Sequence, residues 1–156
     1  MHLRILGGLL TFLCLHTVSL AQLAPAPPAD QPVEIQVERA AAIDAAIAPY
    51  VAEARKTYPA AKSRFLQRLP PGQIFFVTAQ LRDANGRSER VFVRVAEIRG
   101  AVLSGTIASQ IMLVDGFKTG QNYSVNEADI LDWLIAKPDG SEEGNFVGKF
   151  LDSYRP

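Results

Sequence analysis

Histidine and cysteine are almost missing from this chain. Its two histidines, His2 and His16, and its single cysteine, Cys14, all fall within the first 16 of 156 residues. The clustering matters because the opening segment reads as one that is removed. Arg4 precedes an apolar stretch from Ile5 to Leu15, and Ser19-Leu20-Ala21 places small residues where a signal peptidase reads. A secretory signal peptide over residues 1–21 is expected, with a periplasmic destination. The stretch is shorter than the roughly 20 residues of a spanning helix, so no permanent membrane span is expected after cleavage. Cys14 follows Phe12-Leu13, which are too bulky ahead of a lipidated cysteine.

Cleavage there leaves a chain of about 135 residues with neither histidine nor cysteine. Disulfides, a thiol nucleophile, an imidazole base and a Ser-His-Asp triad are then excluded, as is a zinc site of the Cys/His kind. No cofactor and no metal is expected. Glycine-rich phosphate or dinucleotide fingerprints are also missing, and Ser104 has no base beside it. Acid–base chemistry would fall to carboxylates. Glu127, Asp129 and Asp132 are the densest group, at a spacing typical of capping residues and a solvated edge. Residues 139–143 (DGSEE) offer oxygen ligands but lack the ordered spacing of a calcium loop.

Four of the ten prolines lie in residues 22–36 (QLAPAPPADQPVEIQ), which reads as an extended linker. A single α+β domain is expected over 37–156. Ile43, Ile47, Val51, Ala54, Tyr58, Ala61 and Phe65 recur at helical period. Pro49 and Pro59 punctuate that stripe and predict two or three helical pieces, at about 37–48, 50–58 and 59–69. After Pro70-Pro71-Gly72 the period becomes two. Strands are expected at 73–82 and 88–98 around an Asn85-Gly86 turn, then at 101–108, 111–114 and 122–125, with 129–136 a further strand or a short helix-to-strand transition. Residues 145–152 read as a strand or short helix. Helices followed by short strands indicate N-terminal helices packed on a coiled antiparallel sheet, in the manner of a partly open SH3-like barrel.

Formal net charge is zero, but charge is segregated. Ten basic residues in 55–99 face three acidic ones there, while 100–156 holds four basic and eight acidic residues. The halves are expected to face each other within one fold. The sharper alternative is a basic surface for an anionic partner, carried by Arg90 and Arg94. Nucleic acid is not an expected partner, because no platform of stacking aromatics accompanies the charge. Trp133 is the only tryptophan. It reads as a core anchor sharing a face with Leu131 and Ile135 and packing on Val51, Tyr58 and Phe65, or alternatively as a ligand platform positioned by Asp132. Asp129, Asp132, Trp133, Arg90 and Arg94 together form the candidate ligand or partner surface; no catalytic residue is assigned.

Ala54-Arg55-Lys56-Thr57-Tyr58-Pro59 with Phe65-Leu66, the strand Val91-Phe92-Val93-Arg94-Val95 with Glu97-Ile98, Gly120, Ile130-Leu131-Asp132-Trp133 and the segment at Gly144 resemble a bacterial family. It is the domain of unknown function 2314 family, typified by YegJ. The resemblance covers roughly residues 40–152 and implies an α+β fold with no established activity. The composition points to a non-enzymatic, exported binding or accessory protein with a protein or cell-envelope ligand. The alternatives are a carboxylate-dependent hydrolase of cell-envelope material, and an inhibitor or immunity-type protein partner.

Overall fold

The structure, a computed structural model, describes residues 33–155, with side chains from Ala40 onward. The signal segment and most of the linker lie outside the described residues. Among those described, no helix is long and apolar enough to cross a membrane.

The first element is one helix, α1 (Val33–Leu66), with Pro49 and Pro59 inside it, and not the two or three pieces that the prolines predicted. A proline inside a helix removes one hydrogen bond, at about 3 kcal/mol. Here both prolines lie on the exposed side, where water can serve the carbonyls left without a partner. The buried residues Ile47, Ala54, Tyr58 and Ala61 keep one helical phase through both prolines. Packing of that stripe carries the helix across them.

Six antiparallel strands follow: β1 (Ile74–Arg82), β2 (Ser88–Arg99), β3 (Val102–Ile107), β4 (Asn122–Asn126), β5 (Asp132–Ala136) and β6 (Glu142–Gly144). Their spatial order is β4-β3-β2-β1-β5-β6. The sheet is not closed, and β4 and β6 are its edges. The β1–β2 hairpin turns on Asp83, whose Oδ1 accepts the N–H groups of Asn85 and Arg87, both at 2.9 Å. A register shift between Val95 and Glu97 breaks the β2–β3 ladder. Gly105 fits beside it because a Cβ there would lie 1.9 Å from the Arg94 carbonyl oxygen. Such a bulge bends and twists the sheet locally. The chain ends in helix α2 (Phe146–Ser153).

Alternation divides the sheet into two faces. Phe75, Val77, Ala79 and Leu81 lie beside Val91, Val93, Val95, Ile107, Trp133 and Ile135 on the inner face, in one core with Ala54, Tyr58 and Ala61 of α1. Phe75 makes aromatic contacts with Tyr58 and Phe65. The outer face carries Phe76, Thr78, Gln80, Arg90, Phe92, Arg94, Asp132 and Leu134. Asp132 and Leu134 are buried too, so β5 is covered on both sides.

Residues 111–114 form no strand. They belong to an irregular loop fixed from a distance by the Glu89 carboxylate, which accepts N–H groups from Met112 (3.0 Å), Leu113 (2.8 Å) and Val114 (3.3 Å). Burial opposes the charge on Glu89, but these three N–H groups outweigh it and hold its carboxyl below the ordinary range. The segregated charges do meet within the fold: Lys62 pairs with Glu127 at 2.8 Å, Arg64 with Glu143, and Arg87 with Asp115.

Candidate functional site

The five residues of the expected surface separate. Thr78 lies opposite both Asp132 and Phe92, Gln80 opposite Arg90, and Phe76 opposite Arg94. Arg90, Arg94 and Asp132 therefore share the outer face. Trp133, one residue on, faces inward. Asp129 is exposed in the 3-10 turn Glu127–Asp129 between β4 and β5.

Asp132 is 1% exposed and offers no surface. Its Oδ2 accepts the Val147 N–H at 2.7 Å and its Oδ1 the N–H of Trp133 at 2.8 Å. The usual residue for this cap, Asn145, stands in the left-handed region (φ 56) and makes no side-chain cap. A carboxylate from β5 thus holds the first turn of α2, where N–H groups have no helical acceptor. Burial pushes the Asp132 carboxyl above the ordinary range, while the N–H groups of Val147 and Trp133 pull it back.

Trp133 is 6% exposed and belongs to the core, as the anchor reading expects. Its indole N–H donates to Thr57 Oγ1 at 3.0 Å, and its ring meets Phe146 edge-on with centroids 6.0 Å apart. Thr57 supplies this polar contact with α1. Gly144 (φ +76) runs flat against the same ring: a Cβ there would lie 2.8 Å from the indole and 2.2 Å from the Trp133 carbonyl oxygen.

Arg55, in the same helical motif, donates from Nε to Ile130 O and from Nη2 to Ala128 O, both at 3.2 Å. It thereby fixes the crossing from β4 to β5. Tyr58 lies buried near Glu127; burial first, and then that carboxylate, raise its hydroxyl above the ordinary phenol range.

Arg90 is half-buried and paired with Asp44 of α1, whereas Arg94 is exposed. Between the outer face and α2 lies a cleft of about 370 Å³ lined by Thr78, Arg90, Phe92, Ser109, Asn145 and Leu151, among others. Arg90 Nε and Asn145 Oδ1, on two of its lining residues, have no hydrogen-bond partner among the described residues, but both are buried away from the cleft, Asn145 Oδ1 lying against Gly148 in the first turn of α2. Ser109 Oγ accepts the Phe92 N–H at 2.8 Å and retains its own proton to donate. The cleft brings a guanidinium, an amide and a hydroxyl side chain together over an apolar floor. That set can recognise a small polar group; it holds no paired nucleophile and base. Sequence reasoning found Arg90 but not Asn145 or Ser109. An asparagine ahead of a short apolar helix was the available signal for Asn145.

The model of a family described as an uncharacterised protein conserved in bacteria, DUF2314, matches residues 44–153. No curated protein and no solved structure matches the chain. The match runs from the middle of α1 to the last residue of α2, so it includes both the cleft and the contacts that bind α1 to β5.

Proposed function

Since the chain belongs to this bacterial DUF2314 family, we propose that it is an exported, non-enzymatic binding or accessory protein of the periplasm. Its ligand would sit in the cleft between the outer sheet face and α2. The observation that carries this reading is the cleft itself, where the side chains of Arg90, Ser109 and Asn145 meet over Phe92 and Leu151.

The hydrolase alternative needs two carboxylates at work across a cleft. Glu127 is engaged with Lys62, and Asp132 is sealed beneath α2. Of the three clustered acids only Asp129 is exposed, which favours binding over hydrolysis. The partner-protein alternative draws on Met112 and Leu113, which are 72% and 60% exposed beside Arg87, Asp115 and Lys118.

The test has two arms. Intact mass of protein recovered from the periplasm is expected to match a chain beginning near Gln22; bulk protein still carrying residues 1–21 would overturn export. Soluble cell-envelope fragments, titrated into labelled protein, are expected to shift the Arg90 side-chain N–H and the Ser109 and Asn145 amides. Arg90→Ala is expected to abolish those shifts. Turnover of a fragment would overturn the non-enzymatic reading.

A further inference from the structure

The sheet has a seam in it. β1 pairs with β2 through Arg82, but with β5 only as far as Thr78. Residues 79–82 therefore have a strand on one side only. At the far end of the sheet, β4 is an edge. The short crossing through Glu127–Asp129 carries the chain from β4 directly to β5, and Leu131 N–H donates to Thr78 O at 2.9 Å where it arrives. The β4 edge is thus brought round to the side of β1 that β5 leaves open. Both edges line one cleft of about 330 Å³, with Ala79, Gln80 and Arg82 on one bank and Tyr123, Val125 and Asn126 on the other.

The backbone groups on the two banks follow from alternation. Thr78 O faces β5, so Gln80 and Arg82 turn their N–H and C=O groups to the same, now vacant, side. On β4, Gln121 O accepts from Ile107 N and Glu127 N donates to Ala101 O. Odd-numbered residues therefore face β3, and the backbone groups of Asn122, Ser124 and Asn126 face outward. An unpaired strand edge is a template for another extended chain. Ala79 and Val125 are buried core residues and form an apolar floor. The rim carries Arg55, Arg82 and Asp129. Arg55 commits Nε and Nη2 to carbonyls, and Arg82 makes no ion pair among the described residues. The excess rim charge is positive.

We propose that this seam binds an extended acidic peptide segment of a partner protein by strand addition. The site is separate from the cleft under α2 and does not depend on the function assigned to it. β1 and β4 run antiparallel, being three antiparallel steps apart, so one inserted strand can be antiparallel to only one of them. β4 presents the longer free edge, and the peptide lies antiparallel to it. Main-chain hydrogen bonds to the edge supply affinity and alternate side chains supply selectivity. Apolar residues point toward Ala79 and Val125, and carboxylates reach Arg55 and Arg82.

The probe is a capped heptapeptide alternating Glu and Val, with a Lys/Val peptide as control, titrated into labelled protein. The expected shifts lie within residues 79–82 and Asn122–Asn126, and hydrogen exchange at the Ser124 amide slows. Ser124→Pro removes an outward donor at an edge position where proline is tolerated. Arg82→Glu reverses the rim charge at an exposed site. Each is expected to weaken binding by roughly tenfold or more while the melting temperature stays close to that of the parent. If Ser124→Pro lowers the melting temperature substantially, Arg82→Glu decides the matter alone. Equal binding of the Lys/Val peptide, undiminished binding by folded Arg82→Glu, shifts confined to other surfaces, or no shift at millimolar Glu/Val peptide would each overturn the proposal. So would concentration-dependent shifts at Asn122–Asn126 without peptide, which would assign the seam to a second copy of the chain.

Discussion

Trp133 and Thr57 are joined by a hydrogen bond of 3.0 Å from the indole N–H to the threonine hydroxyl. That hydroxyl in turn donates to the Glu53 carbonyl at 2.8 Å, one turn back along α1. The only tryptophan of the chain is therefore tied to the long helix through a side chain that is itself fixed to the helix backbone. Trp133→Ala is expected to cost about 3–5 kcal/mol, the range for deleting a buried aromatic, out of a typical total of 5–15 kcal/mol. Thr57→Val leaves the indole N–H without an acceptor and is expected to cost about 1–3 kcal/mol. Urea unfolding measures both. Tryptophan emission in the parent should be blue-shifted and poorly quenched by acrylamide. A red-shifted, freely quenched emission would contradict the buried placement.

Asp132 offers a test with a definite sign. Its folded pKa is raised above the unfolded value, so its ionised form is less welcome in the folded state than in the unfolded chain. The stability it contributes increases as pH falls through the folded pKa. Asp132→Asn does not titrate and cannot give the Trp133 and Val147 N–H groups two acceptors. The variant is expected to be destabilised by about 1–3 kcal/mol. The gap from wild type should be wider at acid pH than at neutral pH, as read from urea midpoints across that range. A gap that widens toward neutrality would mean that α2 requires the ionised carboxylate.

Glu143 behaves in the opposite sense. Its hydrogen bond with Arg64, and then that with Lys137, hold its carboxyl down at about 2. The stability it contributes is present above the unfolded carboxylate pKa and is lost as pH falls through about 2. Glu143→Gln is expected to lower stability modestly at neutral pH, by less than about 1 kcal/mol for a partly exposed pair. The melting curves of variant and parent should converge near the acid end of that window. Curves that remain apart there would show that Glu143 acts through something other than its charge.

Glu89→Ala removes the acceptor shared by three N–H groups of the 110–115 loop. Hydrogen exchange at Met112, Leu113 and Val114 is expected to accelerate markedly, while exchange in β1 and β2 changes little. Unchanged protection would mean that the loop holds its shape without the carboxylate.

Much of this fold is legible residue by residue. The alternation in Val91, Val93 and Val95, and the Asn85-Gly86 turn, specify the central hairpin through local rules alone. Pro49 and Pro59 predict breaks that α1 does not have, because the stripe from Ile47 to Phe65 keeps its phase across them and its packing outweighs one missing hydrogen bond at each. The 111–114 segment has strand-like composition, but its backbone partners come from Glu89, more than 20 residues earlier, and such a contact leaves no local trace. Asp132 illustrates the same limit within the candidate site. A carboxylate beside a tryptophan reads as a surface feature until the later α2 is seen to cover it. The pairing of Arg90 with Asp44 and the unpartnered Asn145 amide oxygen depend on how α1 and α2 sit in the fold, which composition does not encode.

The Glu89 contact separates shape from chemistry on one stretch of surface. Because the carboxylate grips backbone N–H groups and Val114 is buried in the core, the course of the 110–115 loop does not depend on the side chains of Met112 and Leu113. The two exposed apolar side chains, Met112 and Leu113, can then be exchanged for charged, aromatic or small residues while the ledge that displays them stays where it is. Chains of this architecture could differ in what they touch there through changes at two positions, with no refolding of the segment between β3 and β4.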